Sequence, residues 1–439
     1  MAHFRDRRAF GNVNGRRFRG ARYGDGKSPR FTGLLDLYGG ASAAYSLRAL
    51  STGWLAGDVV EVRRDSDSTS QDFTASQITN GAMVDWVSDP FSVYISDFSV
   101  DVDGFTTTAN GTTSGNQSIG GVDDALKFTL GGAGGATQFL RTSGFSGNGD
   151  KNIRIRFDVY IPSQIYTDTI RVTDNTGGNY VNVTPMPDTW VSVDDTFTAA
   201  SGSNRITFRC FDGTLGNIDS LASGEEVYIK NVSVDYINAD GFVSTWYDQS
   251  GNANDATQAT TTSQPKIVDA GALVTGGLEF DGVDDFLGMT LDALGTSSRA
   301  IFAACSPDTS SSASLINLND SVSSGTSYGV TTEIATRCSS VTWESSSPAS
   351  GLSLVSSLYT SGNIHTGLSM FLDGSSVTRT GGTDGTIDTT GGNANIGAFG
   401  SGSPTKYDGR IAEIIVYNSD ESANRVGIET NINDYYQIF

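Results

Sequence analysis

The sequence predicts an all-β protein in which sandwiches of short strands are closed by a single C-terminal helix. Two features of composition and one of patterning lead there. The 439 residues include 53 glycines and only 37% hydrophobic side chains, with Ser and Thr abundant. That is the make-up of many turns between half-buried strands. Apolar residues also alternate with polar ones over short runs, the period of a strand with one buried face. A chain of this length holds about two or three domains, each with its own core.

The elements follow in order. Residues 31–88 open with FTGLLDLYGGASAAYSLRAL and continue into DVVEVRRDSDSTSQDF. There Val60 and Val62 alternate with Glu61 and Arg63 before a polar turn, so a strand is expected. Residues 89–237 read as a separate unit. In NIRIRFDVY, Ile153, Ile155, Phe157 and Val159 share one face while Arg154, Arg156 and Asp158 share the other. NRITFRCF and EVYIKNVSV repeat the pattern, the second with a bulge expected near Lys230–Asn231. Several such strands separated by Gly and Asn turns describe a β-sandwich. From 238 onward more strand-like runs lead through RIAEIIVYN. In the final ESANRVGIETNINDYYQIF, Val426, Ile428, Ile432 and Tyr435 stand at helical spacing, which predicts one helix.

Charge is unevenly placed. Residues 1–30 hold nine of the 28 basic and two of the 49 acidic residues, a net +7, which leaves 19 basic against 47 acidic, −28, for the rest. A basic arm that docks on an acidic partner is expected, on a body that does not bind nucleic acid. Phe4, Arg7, Arg8, Phe10, Arg16, Arg17, Phe18, Arg19, Arg22 and Tyr23 are its anchoring residues. The aromatic rings would fill apolar pockets of a neighbouring subunit and the arginines would pair with its acids. Binding to single-stranded nucleic acid by stacking and phosphate pairing is the competing use of NGRRFRGARYGDG, and a free tail is the third. No apolar run approaches the roughly 20 residues of a membrane span, and no signal-peptide core opens the chain, so neither membrane insertion nor export by that route is expected. Cys210, Cys305 and Cys338 are too few and too far apart for a disulfide framework and read as reduced, mostly buried thiols.

TWYDQSGNANDATQ, residues 245–258, concentrates polar side chains behind an aromatic pair. Asp248 and Asn252 suit a turn in which side chains hold the backbone, with Gly251 at positive φ and Trp246 and Tyr247 straddling a sheet. The order WYDQSGN, DATQ, QP, FDGVDDFL at Trp246–Asn252, Asp255–Gln258, Gln264–Pro265 and Phe280–Leu287, with GGASAAYSLRAL and VVEVRRDSDSTSQDF before it, resembles the catalytic-domain framework of family 54 α-L-arabinofuranosidases. It also resembles structural proteins of tailed bacteriophages that share that framework without its enzyme, and MFLDGSSV and NIGAFGSGSPTKYDGRIAEIIVYN resemble their laminin-G-like end. The resemblance covers 31–88 and 238–439 and implies a concanavalin A-like sandwich. Residues 89–237 resemble an inserted jelly-roll carbohydrate-binding module. Together these imply a non-enzymatic virion protein, in a tail fibre, tail tip or capsid surface, assembled in the host cytoplasm, homo-oligomeric, joined to other virion proteins by its arm and able to touch host glycans. A glycoside hydrolase and a free carbohydrate-binding protein are the alternatives.

For the module, the resemblance implies a sugar lying on outward aromatics, and Tyr160, Trp190, Phe211 and Tyr228 are the candidates; their competing role is to cover core edges. For catalysis of the retaining kind, two carboxyls must sit about 5 Å apart. The glutamates of the C-terminal half are Glu279, Glu333, Glu344, Glu413, Glu421 and Glu429. The region corresponding to the enzyme's nucleophile offers only Asp320, and Asp408 before Gly409 reads as a turn residue. The adjacent cysteine pair of the enzyme's pocket is absent, so no catalytic residue is assigned. Two histidines, His3 and His365, are too few for a zinc site or a Ser-His-Asp set. No cofactor is expected. Calcium is the one metal that the acidic turns DVDG (101–104), GVDDAL (121–126) and GVDDFL (282–287) could take.

Overall fold

The computed structural model describes residues 31–439 except 90, 104, 106–110, 131–137, 142–150, 164–168, 175–179, 185, 200–205, 212–223, 225, 238, 293, 309–313, 319–325, 330–333, 339, 347–348, 390–391 and 400–405. The anchoring residues of the arm, and Asp320, thus lie outside the described residues. The protein is all-β with antiparallel sheets, as its composition predicts.

Strand Asp408–Tyr417 runs through the middle of the larger body. Arg299–Pro307 pairs along one edge, and Ala41–Ser46 and Leu278–Asp281 share the other. GRIAEIIVY is apolar on both faces because both are covered. Ile411, Ile414 and Val416 join Ile301, Ala303 and Cys305 in the core between the layers. The opposite layer is made by Leu287–Thr290, Asn393–Ile396, Ser314–Leu318, Thr326–Gly329, Ala335–Cys338 and Val341–Glu344. Ala412, Ile415 and Tyr417 face away from it, under helix Arg425–Tyr436. That helix buries Ile428 and Ile432, while Val426 and Tyr435 stay exposed at 61% and 52%. Half of the helical stripe is therefore core. Its remaining hold is polar: Arg425 pairs with buried Glu429 at 2.5 Å and lies 3.9 Å from the Phe371 ring centre. Cys305 and Cys338 are buried free thiols.

Among the described residues, strands from Phe91 to Ile237 pair only with one another, in a six-stranded and a four-stranded sheet. Ile153, Ile155, Phe157 and Val159 of Lys151–Tyr160 face Ile170, Val172 and Phe208 in a core of their own. The period-two expectation holds on the other face as well, where Arg154 pairs with Asp194 and Arg156 with Asp235, each at 2.5 Å. Register slips between Lys230 and Ser233, with Asn231 at φ 51°, and this is the bulge. Exit and return are neighbours. At Gly241 an added Cβ would lie 3.1 Å from both Val62 and Val87, the last helical residue before the excursion.

The Asp248–Asn252 turn ties the two ends of the larger body together. Trp246 is buried in the core while the Tyr247 hydroxyl, on the other side, donates to Asp72 at 2.7 Å. The Asp248 carboxylate, 1% exposed, accepts from the N–H groups of Ala44, Ser250 and Asn254 at 2.8, 2.9 and 3.0 Å. Gln249 does as much. Its side-chain carbonyl accepts from Leu50 N–H at 2.8 Å, and its amide donates to the carbonyls of Ser46 and Arg48 at 2.9 and 3.0 Å. Gly251 has φ 90°, and the Asn252 amide donates to Ala41 O at 2.9 Å.

Asp408 departs from its expectation. It is the first residue of a strand, paired with Asp281, and not part of a turn. Gly409 after it has φ 137°, and an added Cβ would lie 2.3 Å from Ser306 O, so a close strand contact explains the glycine.

Candidate functional site

Tyr160, Trp190 and Tyr228 come together on the outer face of the six-stranded sheet. Tyr160 ends strand Lys151–Tyr160, and Tyr228 lies directly across from it in Glu226–Ile237. Both occupy the positions that alternate away from the inner core. They are nonetheless buried, at 7% and 6% exposed, because they pack on each other, on Ala125 and on Trp190. The expected outward rings of Tyr160 and Tyr228 are therefore supports, and Trp190 is the half-open member. Phe211 belongs to Ile206–Phe211 in the four-stranded sheet, and its side chain lies outside what is described.

Each ring is fixed. The Trp190 and Tyr160 centroids are 5.5 Å apart, those of Tyr160 and Tyr228 6.2 Å. The indole N–H of Trp190 donates to Ile119 O at 3.3 Å. Tyr160 donates to Asp188 at 3.3 Å, and Tyr228 to Glu226 at 2.6 Å. Burial, and the carboxylates beside them, raise both phenols above their ordinary range. Hydrogen bonds from Ser163 hold the Asp188 carboxyl below its ordinary range. Lys230 stands 5.7 Å from the Trp190 ring centre. Left-handed backbone gathers here: Asp188, Asn231, Asp124, Gly120 and Gly121 all have positive φ. At Gly120 an added Cβ would lie 2.8 Å from Tyr160 and 3.1 Å from Trp190, so only glycine lets the chain pass over the rings. As site residues Asp188, Lys230 and Gly120 escaped the sequence reading, in which Lys230 marked only a bulge, since only the fold brings them beside Trp190. Such an arrangement offers a rigid indole, its N–H held by Ile119 O, with apolar ring surface for stacking and the Lys230 ammonium over the ring as a donor to hydroxyls.

Two of the acidic turns spend their carboxylates on themselves. Asp101 accepts from Asp103 N–H at 2.6 Å and Asp103 from Phe98 N–H at 3.0 Å, while Asp123 accepts from the Ser118 hydroxyl at 2.5 Å. In the third, Asp281, Asp284 and Asp285 bring carboxylate oxygens within 4.8 Å of one another, the one such trio among the described residues. Burial, and then the charges of Asp281 and Asp284, push Asp285 up to about 8. These are hard oxygen donors of the kind calcium takes, but three side chains fall short of its roughly six to eight oxygens. They are also engaged: Asp281 accepts from Val283 N–H at 2.8 Å, Asp285 from Asp281 N–H at 3.0 Å, and Asp284 from the Ser263 hydroxyl at 2.8 Å.

No protein-family model matches the sequence, and no curated protein matches it. Solved structures similar to part of the chain include a family 29 carbohydrate-binding module variant complexed with mannohexaose, at 14% identity and TM-score 0.23 over 33% of this chain and 92% of that one. Another is the CBM22-1 xylan-binding domain from Paenibacillus barcinonensis Xyn10C, at 12% identity and TM-score 0.25 over 34% and 96%. A third is the CBM22-1 and GH10 part of a Clostridium thermocellum endo-1,4-β-D-xylanase complexed with xylohexaose, at 13% identity and TM-score 0.23 over 33% and 29%.

Proposed function

We propose that this chain is a non-enzymatic structural protein of a tailed-phage particle that contacts glycans through its sandwiches. The observation that carries the glycan contact is the Trp190 platform, a half-open indole packed on the buried Tyr160–Tyr228 pair with the Lys230 ammonium over its ring. A pre-fixed ring loses little freedom when a sugar stacks on it. The non-enzymatic part of the reading is supported by the framework turn, where Asp248, Gln249, Ser250 and Asn252 spend polar atoms on holding backbone or the turn itself. The resemblance of 31–88 and 238–439 to phage proteins supports the virion setting, and the +7 arm is the segment that would join the particle. Binding of the full chain to a glycan array, lost in Trp190→Ala, tests the reading; binding unchanged by that substitution contradicts it. Among the described residues no helix is long and apolar enough to cross a membrane.

One observation favours a second reading, glycoside hydrolysis. Asp285, raised to about 8 beside Asp281, has the protonation of a general acid. It is, however, 6% exposed and hydrogen-bonded into its own turn. Release of reducing ends that disappears in Asp285→Asn would establish that reading; its absence leaves the non-enzymatic one.

A further inference from the structure

A concave site lies on the larger body, apart from the Trp190 platform. A cleft of about 650 Å³ is lined by Arg63, Phe242, Lys266, Glu279, Asp285 and Asp408, with Thr261 and Thr262 at its rim. Its floor is a row of cross-strand neighbours. Arg63 pairs with Phe242, Phe242 with Lys266, Lys266 with Glu279 and Glu279 with Arg410, so one side chain from each of five successive strands stands on the same face. Phe242 sits between two cations, 4.9 Å from the Arg63 guanidinium and 5.8 Å from the Lys266 ammonium. Both cations are braced by protein acceptors. Arg63 donates to Gln264 at 2.8 Å and to Thr261 O at 3.2 Å, and Lys266 pairs with Asp240 at 3.1 Å and Asp269 at 2.8 Å. Glu279 is fixed by Arg410 at 2.8 Å. The floor is set before any ligand arrives, which lowers the cost of binding.

We propose that this cleft is a second saccharide site, independent of Trp190, that takes a neutral oligosaccharide of about two or three rings. Sugar hydroxyls both donate and accept, and the cleft supplies both kinds of partner in fixed positions: carboxylates to accept, and Arg63, Lys266 and threonine hydroxyls to donate. Phe242, half-buried between those two cations, adds apolar surface for the C–H groups of a sugar. The sign of the charge excludes acidic sugars. Asp65, Asp240, Glu279, Asp281 and Asp408 outnumber Arg63 and Lys266, so a uronate would meet a surplus of negative charge.

The test uses the full chain carrying Trp190→Ala, which silences the first platform and keeps the two sites distinguishable. Cellotriose, maltotriose, laminaritriose and chitotriose are titrated calorimetrically, with trigalacturonate as the acidic probe. At least one neutral trisaccharide should bind saturably, and affinity should fall about tenfold, the worth of one good contact, when Phe242→Leu or Lys266→Gln is added. Lys266→Gln lies in a half-buried position, so it reports on the site even if the Phe242 variant unfolds. Trigalacturonate should bind at least about tenfold more weakly, by the same scale. The proposal is overturned by no neutral binding in the Trp190→Ala chain, by affinity indifferent to Lys266→Gln, by preference for trigalacturonate, or by a basic peptide of residues 1–30 holding the cleft against every trisaccharide.

Discussion

Replacing Asp285 by asparagine should change how stability depends on pH. The folded carboxyl titrates at about 8, whereas the same group in an unfolded chain titrates near 3.9. Between those values the folded state holds a proton that the unfolded state has lost, so stability falls as pH rises and levels off above the folded value. Four pH units at about 1.4 kcal/mol each give about 6 kcal/mol as a ceiling. Opening of the 281–287 turn to water relieves part of this, so about 3 kcal/mol is expected. Asparagine keeps the shape, can accept from Asp281 N–H through its carbonyl, and never ionises. Urea unfolding of both proteins at pH 5 and pH 8.5 should show an advantage for Asp285→Asn that grows from about 1 kcal/mol at the lower pH, already above the unfolded value, to about 3 kcal/mol at the higher. Parallel pH profiles for the two proteins would refute the argument, because they would mean that Asp285 ionises without cost.

Other perturbations follow from single contacts. Asp248→Ala strands three backbone N–H groups that its carboxylate satisfies and should cost about 3–5 kcal/mol in urea unfolding, with Asp248→Asn recovering part. Glu413, fully buried, accepts from Arg48 at 2.7 and 2.9 Å and from Ser46 at 2.8 Å; Glu413→Ala should cost about 3–5 kcal/mol by leaving Arg48 uncompensated, and Arg48→Met with Glu413→Leu should restore most of it. Two glycines should differ: Gly251→Ala meets nothing within 4 Å and pays only for φ 90°, about 1 kcal/mol, whereas Gly277→Ala would place Cβ 2.1 Å from Ile411 O and should prevent a stable fold at 37 °C. Deleting residues 1–30 should leave a folded body by circular dichroism that no longer joins particles; normal assembly without them would remove the anchoring role.

What could be read in advance was whatever is local. Ile153 to Val159 alternate, Lys230–Asn231 interrupt an otherwise regular strand, and Asp248 to Asn252 carry the side chains that bond their own backbone, so strand, bulge and turn were all legible. Burial by a neighbour was not. Tyr160 and Tyr228 occupy outward positions in their strands and yet are covered, because Trp190 and Ala125 arrive from other segments. Val426 keeps helical spacing but stays exposed, and Tyr435, half-exposed, packs on the Arg48 guanidinium instead of on an apolar layer. Asp408 before Gly409 has the chemistry of a turn, but Asp281 and Ser306 make it a strand. The Arg63–Phe242–Lys266–Glu279 row combines residues up to 216 positions apart, from 63 to 279, and its one readable trace was an aromatic ring at a position that alternates toward solvent in GFVSTW.

Saturation-transfer NMR on an oligosaccharide chosen from the array, mixed with the full chain and followed for about a day, examines binding and turnover at once. Ring protons of the sugar should receive saturation from the protein, the transfer should weaken in Trp190→Ala, and the anomeric signals should stay unchanged throughout. New reducing-end signals that grow with time and vanish in Asp285→Asn would make the protein a hydrolase, and transfer undiminished by Trp190→Ala would remove the indole platform from its function.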